Sequence, residues 1–75
     1  MHHHLEKVEP DSNCFRFYVI AIEMDLLSEC SLMIHWGRIG TRGRYRIETG
    51  GTRNEVMRKA GSLMKSKLKK GYLPA

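Results

Sequence analysis

Near the middle of the chain, Trp36-Gly37-Arg38-Ile39-Gly40-Thr41-Arg42-Gly43-Arg44 sets the only tryptophan among three arginines and three glycines. An indole face can stack on a base or a sugar, and a guanidinium can bind a phosphate bidentately, so these residue types in one short segment suit nucleic acid. Composition alone fits an ordinary core aromatic at Trp36 equally well. Both readings stand until the surrounding elements are placed.

Other chemistries find less support. Nucleophilic catalysis would need a Ser or Cys with a His base and an orienting acid, but no nucleophile-elbow pattern occurs and the serines sit in polar connectors and in the last segment. Gly37, Gly40 and Gly43 are spaced by three with no Lys-Ser/Thr after them, so they do not form a phosphate-cradling loop. Cys14, Cys30, His35 and the run His2-His3-His4 lack zinc-ligand spacing. A non-enzymatic protein without metal or cofactor is expected. The His run is open to two readings, a shortened tag or native sequence.

The elements that must position the central segment read mostly as strands. His4 to Glu9 alternates weakly and stops at the turn formers Pro10-Asp11-Ser12-Asn13. Phe15 to Met24, rich in β-branched and aromatic residues, predicts a long second strand, and Asp25 to Glu29 a connector. Cys30 to Ile39 is a third strand, with Leu32, Ile34 and Trp36 on one parity. Gly40 to Gly43 makes a tight reversal at glycines that tolerate positive φ, and Arg44 to Thr49 returns. Gly50-Gly51 breaks the sheet. Thr52 and Glu55, three apart, then open a helix as a capping box. At 100° per residue Val56, Met57, Ala60, Leu63 and Met64 share a stripe with Leu68 at its edge, which core packing against the sheet explains. Arg58, Lys65 and Lys69 fall within about 40° of each other on the opposite side. That stripe is either a binding surface or a solvated face. The helix dipole accounts for part of the basic last turn, and Gly71 is placed to end it.

Charge is divided unevenly along the 75 residues. Met1 to His35 holds two basic residues against six acidic ones, whereas Trp36 to Ala75 holds eleven basic against two acidic. A cationic half points to a polyanion, nucleic acid or a membrane surface, although a solvated basic face is the plainer account of many such segments. A chain this short buries only ~60% of the surface it exposes when unfolded, so one domain over residues 1–75 with one modest core is expected. No apolar run approaches the ~20 residues of a membrane span and no signal peptide opens the chain, which predicts a cytoplasmic protein with two free thiols and no membrane partner.

Trp36-Gly37-Arg38 with Ile39-Gly40 and Gly43 resembles the signature of the WGR domain, the family named for those three residues. Asn13 with Arg16-Phe17-Tyr18 is similar to that family's approach to its second strand, and Lys70-Gly71-Tyr72 to its ending, so the resemblance extends over residues 4–73. It implies an α+β fold, a twisted antiparallel sheet of about four strands with one C-terminal amphipathic helix against it, the same architecture the residues suggest. The family serves as an accessory module of DNA-damage-activated poly(ADP-ribose) polymerases and as stand-alone or appended bacterial domains, of which this chain most resembles the short stand-alone form. By the same resemblance Trp36 packs at the terminal nucleotide of a break, Arg38 bridges to a neighbouring domain or protein, and Asn13 and Tyr72 lie near the terminal phosphate. The residues themselves, apart from the resemblance, add Arg42 and Arg44 from the hairpin and the stripe of Arg58, Lys65 and Lys69 from the helix as further candidates. Without a transferase domain, neither catalysis nor an NAD site follows. Gly50-Gly51 stands where the family pattern has an aromatic or aliphatic residue, which predicts a looser strand-to-helix junction. The expected function is binding of nucleic acid, DNA with accessible ends foremost. The alternatives are an adaptor for an acidic protein and an RNA-binding module.

Overall fold

The structure, a computed structural model, describes residues 2–24 and 29–75. Apart from Glu29, the expected connector Asp25 to Glu29 lies outside the described residues. Strand β1 (His2–Glu9) is followed by a 3₁₀ turn (Pro10–Ser12), β2 (Cys14–Met24), β3 (Cys30–Arg38), β4 (Arg44–Gly51), helix α1 (Arg53–Lys69) and β5 (Leu73–Pro74). The strands form one antiparallel sheet in the order β4-β3-β2-β1-β5 with α1 packed on one face. This is the α+β architecture expected, with five strands rather than about four.

Three departures have local causes. β5 is two residues long and includes a proline, so it leaves no alternation to read; it is held by pairing Leu73 with Glu6 and by Ala75 N–H donating to the His4 carbonyl at 2.9 Å. β1 begins at His2, because the histidines continue the ladder with β2 down to His2 opposite Ala21. Gly50 and Gly51 do not break the sheet but pair with Ser31 and Cys30, after a bulge in β4 between Ile47 and Thr49.

Opposed residues in a ladder point to the same face. The α1 side therefore carries Leu5, Tyr18, Ile20, Leu32 and Ile34, which meet Val56 and Ala60 of the helix. Leu5, Ile20, Leu32, Ile34 and Val56 are the largest fully buried side chains, each worth about 1.5–3 kcal/mol of burial. Trp36, Leu63 and Met64 pack at the margin of this core. The opposite face, with His4, Val19, His35 and Tyr45 in one row around Phe17, has no helix on it among the described residues.

The start of the helix is as read: the Glu55 N–H donates to Thr52 Oγ1 at 3.2 Å, and that hydroxyl donates to Glu55 Oε1 at 3.0 Å. Its phase differs. Met57 and Leu68 are 40% and 42% exposed, and Lys67 takes the inward position that follows Ala60 and Met64. At the far end the Tyr72 N–H donates to the Lys67 carbonyl and the Gly71 N–H to that of Leu68, the two bonds of a Schellman turn, with Gly71 at φ +96°. That turn folds Tyr72 back into the core, leaving it 7% exposed.

Candidate nucleic-acid interface

Ladder register collects the cations. Arg16 opposes Arg38, Tyr18 opposes Trp36, Trp36 opposes Arg44 and Ile34 opposes Arg46, so at one end of the sheet the helix-side face alternates arginines with aromatic rings. Lys67 reaches down from the last turn of α1, and the Schellman turn brings Tyr72 beside it. Between them runs a groove of about 610 Å³, walled by Trp36, Tyr18 and Tyr72 and by the basic side chains of Arg16, Arg38, Arg46 and Lys67, with Asn13 at its rim. No carboxylate lines it among the described residues.

Three of the four groove cations are placed by a ring or a polar partner. Lys67 Nζ stands 4.3 Å from the centre of the Tyr18 ring and 5.3 Å from that of Tyr72, contacts that hold an ammonium through the ring quadrupoles. Burial first, then the positive charges of Lys70 and Arg16, hold Lys67 below its ordinary pKa. The Tyr18 phenol is held above its ordinary value, by burial first and then by Glu48, against the opposing pull of Arg46. Arg46 covers the Trp36 indole at 5.4 Å and is anchored to Glu48 through Nη2 to Oε2 at 2.9 Å. Arg38 Nη2 donates to Asn13 Oδ1 at 3.3 Å, and its guanidinium lies 5.4 Å over Phe15. Asn13 can meet it because its own backbone is left-handed, φ +50°, at the end of the 3₁₀ turn.

The glycines of the central segment set the rim. A Cβ on Gly37 would lie 2.7 Å from the Gly43 Cα, and one on Gly43, at φ +69°, would strike the Trp36 carbonyl and the Phe17 ring. The two backbones thus close over Phe17 as only glycines can. Thr41 N–H and Oγ1 both donate to the Arg38 carbonyl, and His35 Nε2 lies 2.6 Å from the Arg42 carbonyl, which fixes the hairpin on both sides.

Of the residues expected in the site, Asn13, Trp36, Arg38 and Tyr72 come together in the groove. Arg44 faces Trp36 across the ladder but stays outside the groove wall, and Arg42 is exposed at the hairpin tip. Arg58, Lys65 and Lys69 are exposed on the outward side of α1, roughly 160–180° around the helix from Lys67, and do not line the groove. Sequence reading missed Arg16, Tyr18, Arg46 and Lys67. Arg16 could have been found, since it shares parity with Tyr18 and Ile20 on β2.

Cys14 and Cys30 are free and stand at opposite ends of the β2–β3 ladder, about 30 Å apart at strand rise and beyond the reach of a disulfide. Among the described residues no three His, Cys, Asp or Glu side chains gather as metal ligands, and no helix is long and apolar enough to cross a membrane.

Compared with known proteins, the chain matches the model of the WGR domain over residues 1–75. It is 34% identical over 71 residues to an uncharacterized protein, y4dW, of Sinorhizobium fredii (strain NBRC 101917 / NGR234). That match covers 95% of this chain and 35% of the relative, so the chain spans roughly a third of that relative's length. No solved structure matches it.

Proposed function

The chain belongs to the WGR domain family, and on that premise we propose that it is a nucleic-acid-binding module that holds DNA at an accessible end without carrying out chemistry. The observation that carries the reading is the groove: four basic side chains and five aromatic residues line it, with no carboxylate among the described lining residues. Such a surface neutralises backbone phosphates while offering ring faces to a base or sugar.

In this reading the terminal nucleotide packs against Trp36, whose ring is partly exposed at the core margin and steadied by Arg46. Arg16, Arg38, Arg46 and Lys67 take phosphates, with Asn13 and Tyr72 beside them. Arg42 and Arg44 extend the positive field along the hairpin. Arg58, Lys65 and Lys69 raise the general potential from the far side of the helix and make no direct contact. An end is favoured over continuous duplex because the rings stand inside a groove, where an unstacked terminus can enter.

The test is a chemical-shift titration of the labelled chain with blunt, nicked and single-stranded DNA and with RNA. Blunt or nicked DNA should move the Trp36 indole N–H and the Lys67 and Arg38 side-chain signals together. Equal or larger shifts with RNA would move the reading to an RNA module. No shift with any nucleic acid at low salt would discard it in favour of a protein partner.

A further inference from the structure

The two edges of the sheet are finished differently. On one side β5, containing Pro74, and the Ala75 N–H close over β1. On the other, β4 runs for eight residues, RYRIETGG, with neither proline nor lysine. Among the described residues its backbone makes no hydrogen bond outside the ladder to β3, apart from a Thr49 hydroxyl on the Gly50 carbonyl. Its side chains are open as well, Tyr45 71% and Ile47 63% exposed. Unguarded edges of this length invite another strand. The bulge at Glu48 shifts β4 by one residue against β3, but Arg46 and Glu48 still project to one face, so the stretch that can pair in the register below is Arg46 to Glu48.

We propose that this edge is a self-association surface, on which a second copy of the chain adds its own β4 antiparallel about a two-fold axis at Ile47. The sequence Arg46-Ile47-Glu48 is self-complementary in that register. With Ile47 facing the partner's Ile47, Arg46 faces the partner's Glu48 and Glu48 faces the partner's Arg46. Sliding by one pleat in either direction sets Arg46 against the partner's Arg46, or Glu48 against the partner's Glu48, and like charges directly opposed are unfavourable. Charge thus selects one register. Arg46 and Glu48 already project to the same face 2.9 Å apart, so exchanging partners needs only side-chain rotation.

Two-fold axes between antiparallel strands stand perpendicular to the sheet, so the joined sheet keeps both helices and both grooves on one face. Strand spacing and rise put the two Trp36 residues about 25 Å apart, facing opposite ends of the sheet. Resting on the reading given under Proposed function, such a pair would hold two nucleic-acid ends in one particle.

Sedimentation velocity without nucleic acid, over rising concentration, tests the proposal independently of that reading. The parent should show a reversible monomer–dimer equilibrium. Ile47→Lys and Arg46→Glu should each raise the dissociation constant about tenfold or more, and Arg46→Glu combined with Glu48→Arg should return it towards the parent value. Circular dichroism checks that these exposed substitutions leave the fold in place. Ile47→Cys should form a covalent dimer on oxidation while Tyr45→Cys does not, because only at the axis do the two Cα atoms come within about 4.5–5.5 Å. A parent that sediments as a monomer throughout overturns the proposal, as does a dimer that Ile47→Lys leaves intact or equal cross-linking at the two cysteine positions.

Discussion

Lys67 stands on Tyr18, its ammonium 4.3 Å from the centre of the phenol ring, and so a helix residue and a central-strand residue share the floor of one groove. The remaining lysines and arginine named from the helix, Arg58, Lys65 and Lys69, point the other way. The first prediction turns on that contrast. Lys67→Gln should weaken DNA binding roughly tenfold and flatten the log K against log salt slope by about 0.9, the signature of one lost phosphate contact. Reversing all three outward residues to Glu should shift affinity less at physiological salt, where charges beyond about 8 Å are screened. Fluorescence anisotropy at several salt concentrations reads both, and the opposite ranking would place the contact on the outer face of the helix.

A second prediction follows from the same contact. Because Lys67 is held below the ordinary lysine value of 10.5, it gives up its proton earlier than an exposed lysine as pH rises, and DNA affinity should fall with it. Stability should move in the other direction through that window. The unfolded chain binds more protons there than the folded one, so the Lys67 contribution to folding improves as pH rises between the lowered value and 10.5. Tyr18, held above 10.0, opposes this by a contribution that is lost as pH rises from 10.0 through its raised value. Lys67→Arg should remove the alkaline fall in affinity, since a guanidinium stays charged. Affinity measured from neutral to alkaline pH for parent and variant decides.

Trp36 is expected to act as both wall and platform. Trp36→Ala should cost ~1–3 kcal/mol of DNA binding, and less folding stability than the ~3–5 kcal/mol typical of a fully buried aromatic. Trp36→Phe should recover most of the binding. Urea denaturation beside a binding titration separates the two losses, and unchanged binding in a folded Trp36→Ala would remove the ring from the interface.

For the parent, four groove cations engaging about four phosphates predict a slope near −3.6 on duplex ends and a loss of roughly 150-fold in affinity between 50 and 200 mM salt. Single strands should show a shallower slope, near −2.8. A slope near zero would mean that binding does not rest on phosphates.

Gly43→Ala should destabilise the chain by roughly 1–3 kcal/mol, since the residue is held at φ +69° with the Trp36 carbonyl and the Phe17 ring where a methyl would go. Gly40→Ala, at φ +91° with nothing within 4 Å, should cost less. Thermal melts of the two variants compare strain plus collision with strain alone. Equal losses would show that the packing of Gly43 on Trp36 adds nothing.

Much of the fold was legible because local chemistry and global pairing agree in it. The β-branched run of β2, the parity of Leu32, Ile34 and Trp36, the glycines at Gly40 and Gly43 and the Thr52–Glu55 cap each have one sensible reading, and the structure holds all of them. The site was half legible. Trp36, Arg38 and Asn13 are flagged by type and by family likeness, whereas Lys67 looks like any solvated lysine until the helix phase is known. That phase is decided by how α1 lies on the strands, which leaves Met57 exposed and turns Lys67 inward. Arg46 is similar: its role depends on a ladder register that a bulge two residues later could have altered.

The pairing of β5 with β1 bears on the order in which the site is made during synthesis. The ladders from β1 to β4 join neighbours along the chain, and local contacts of this kind form early. Tyr72, however, enters the core only through the turn that ends α1, and the strand that follows is secured to residues at the opposite terminus of the sequence, Ala75 N–H to the His4 carbonyl. A nascent chain can therefore display the Trp36 hairpin well before it possesses a complete groove, because the Tyr72 wall is the last part of the groove to be added.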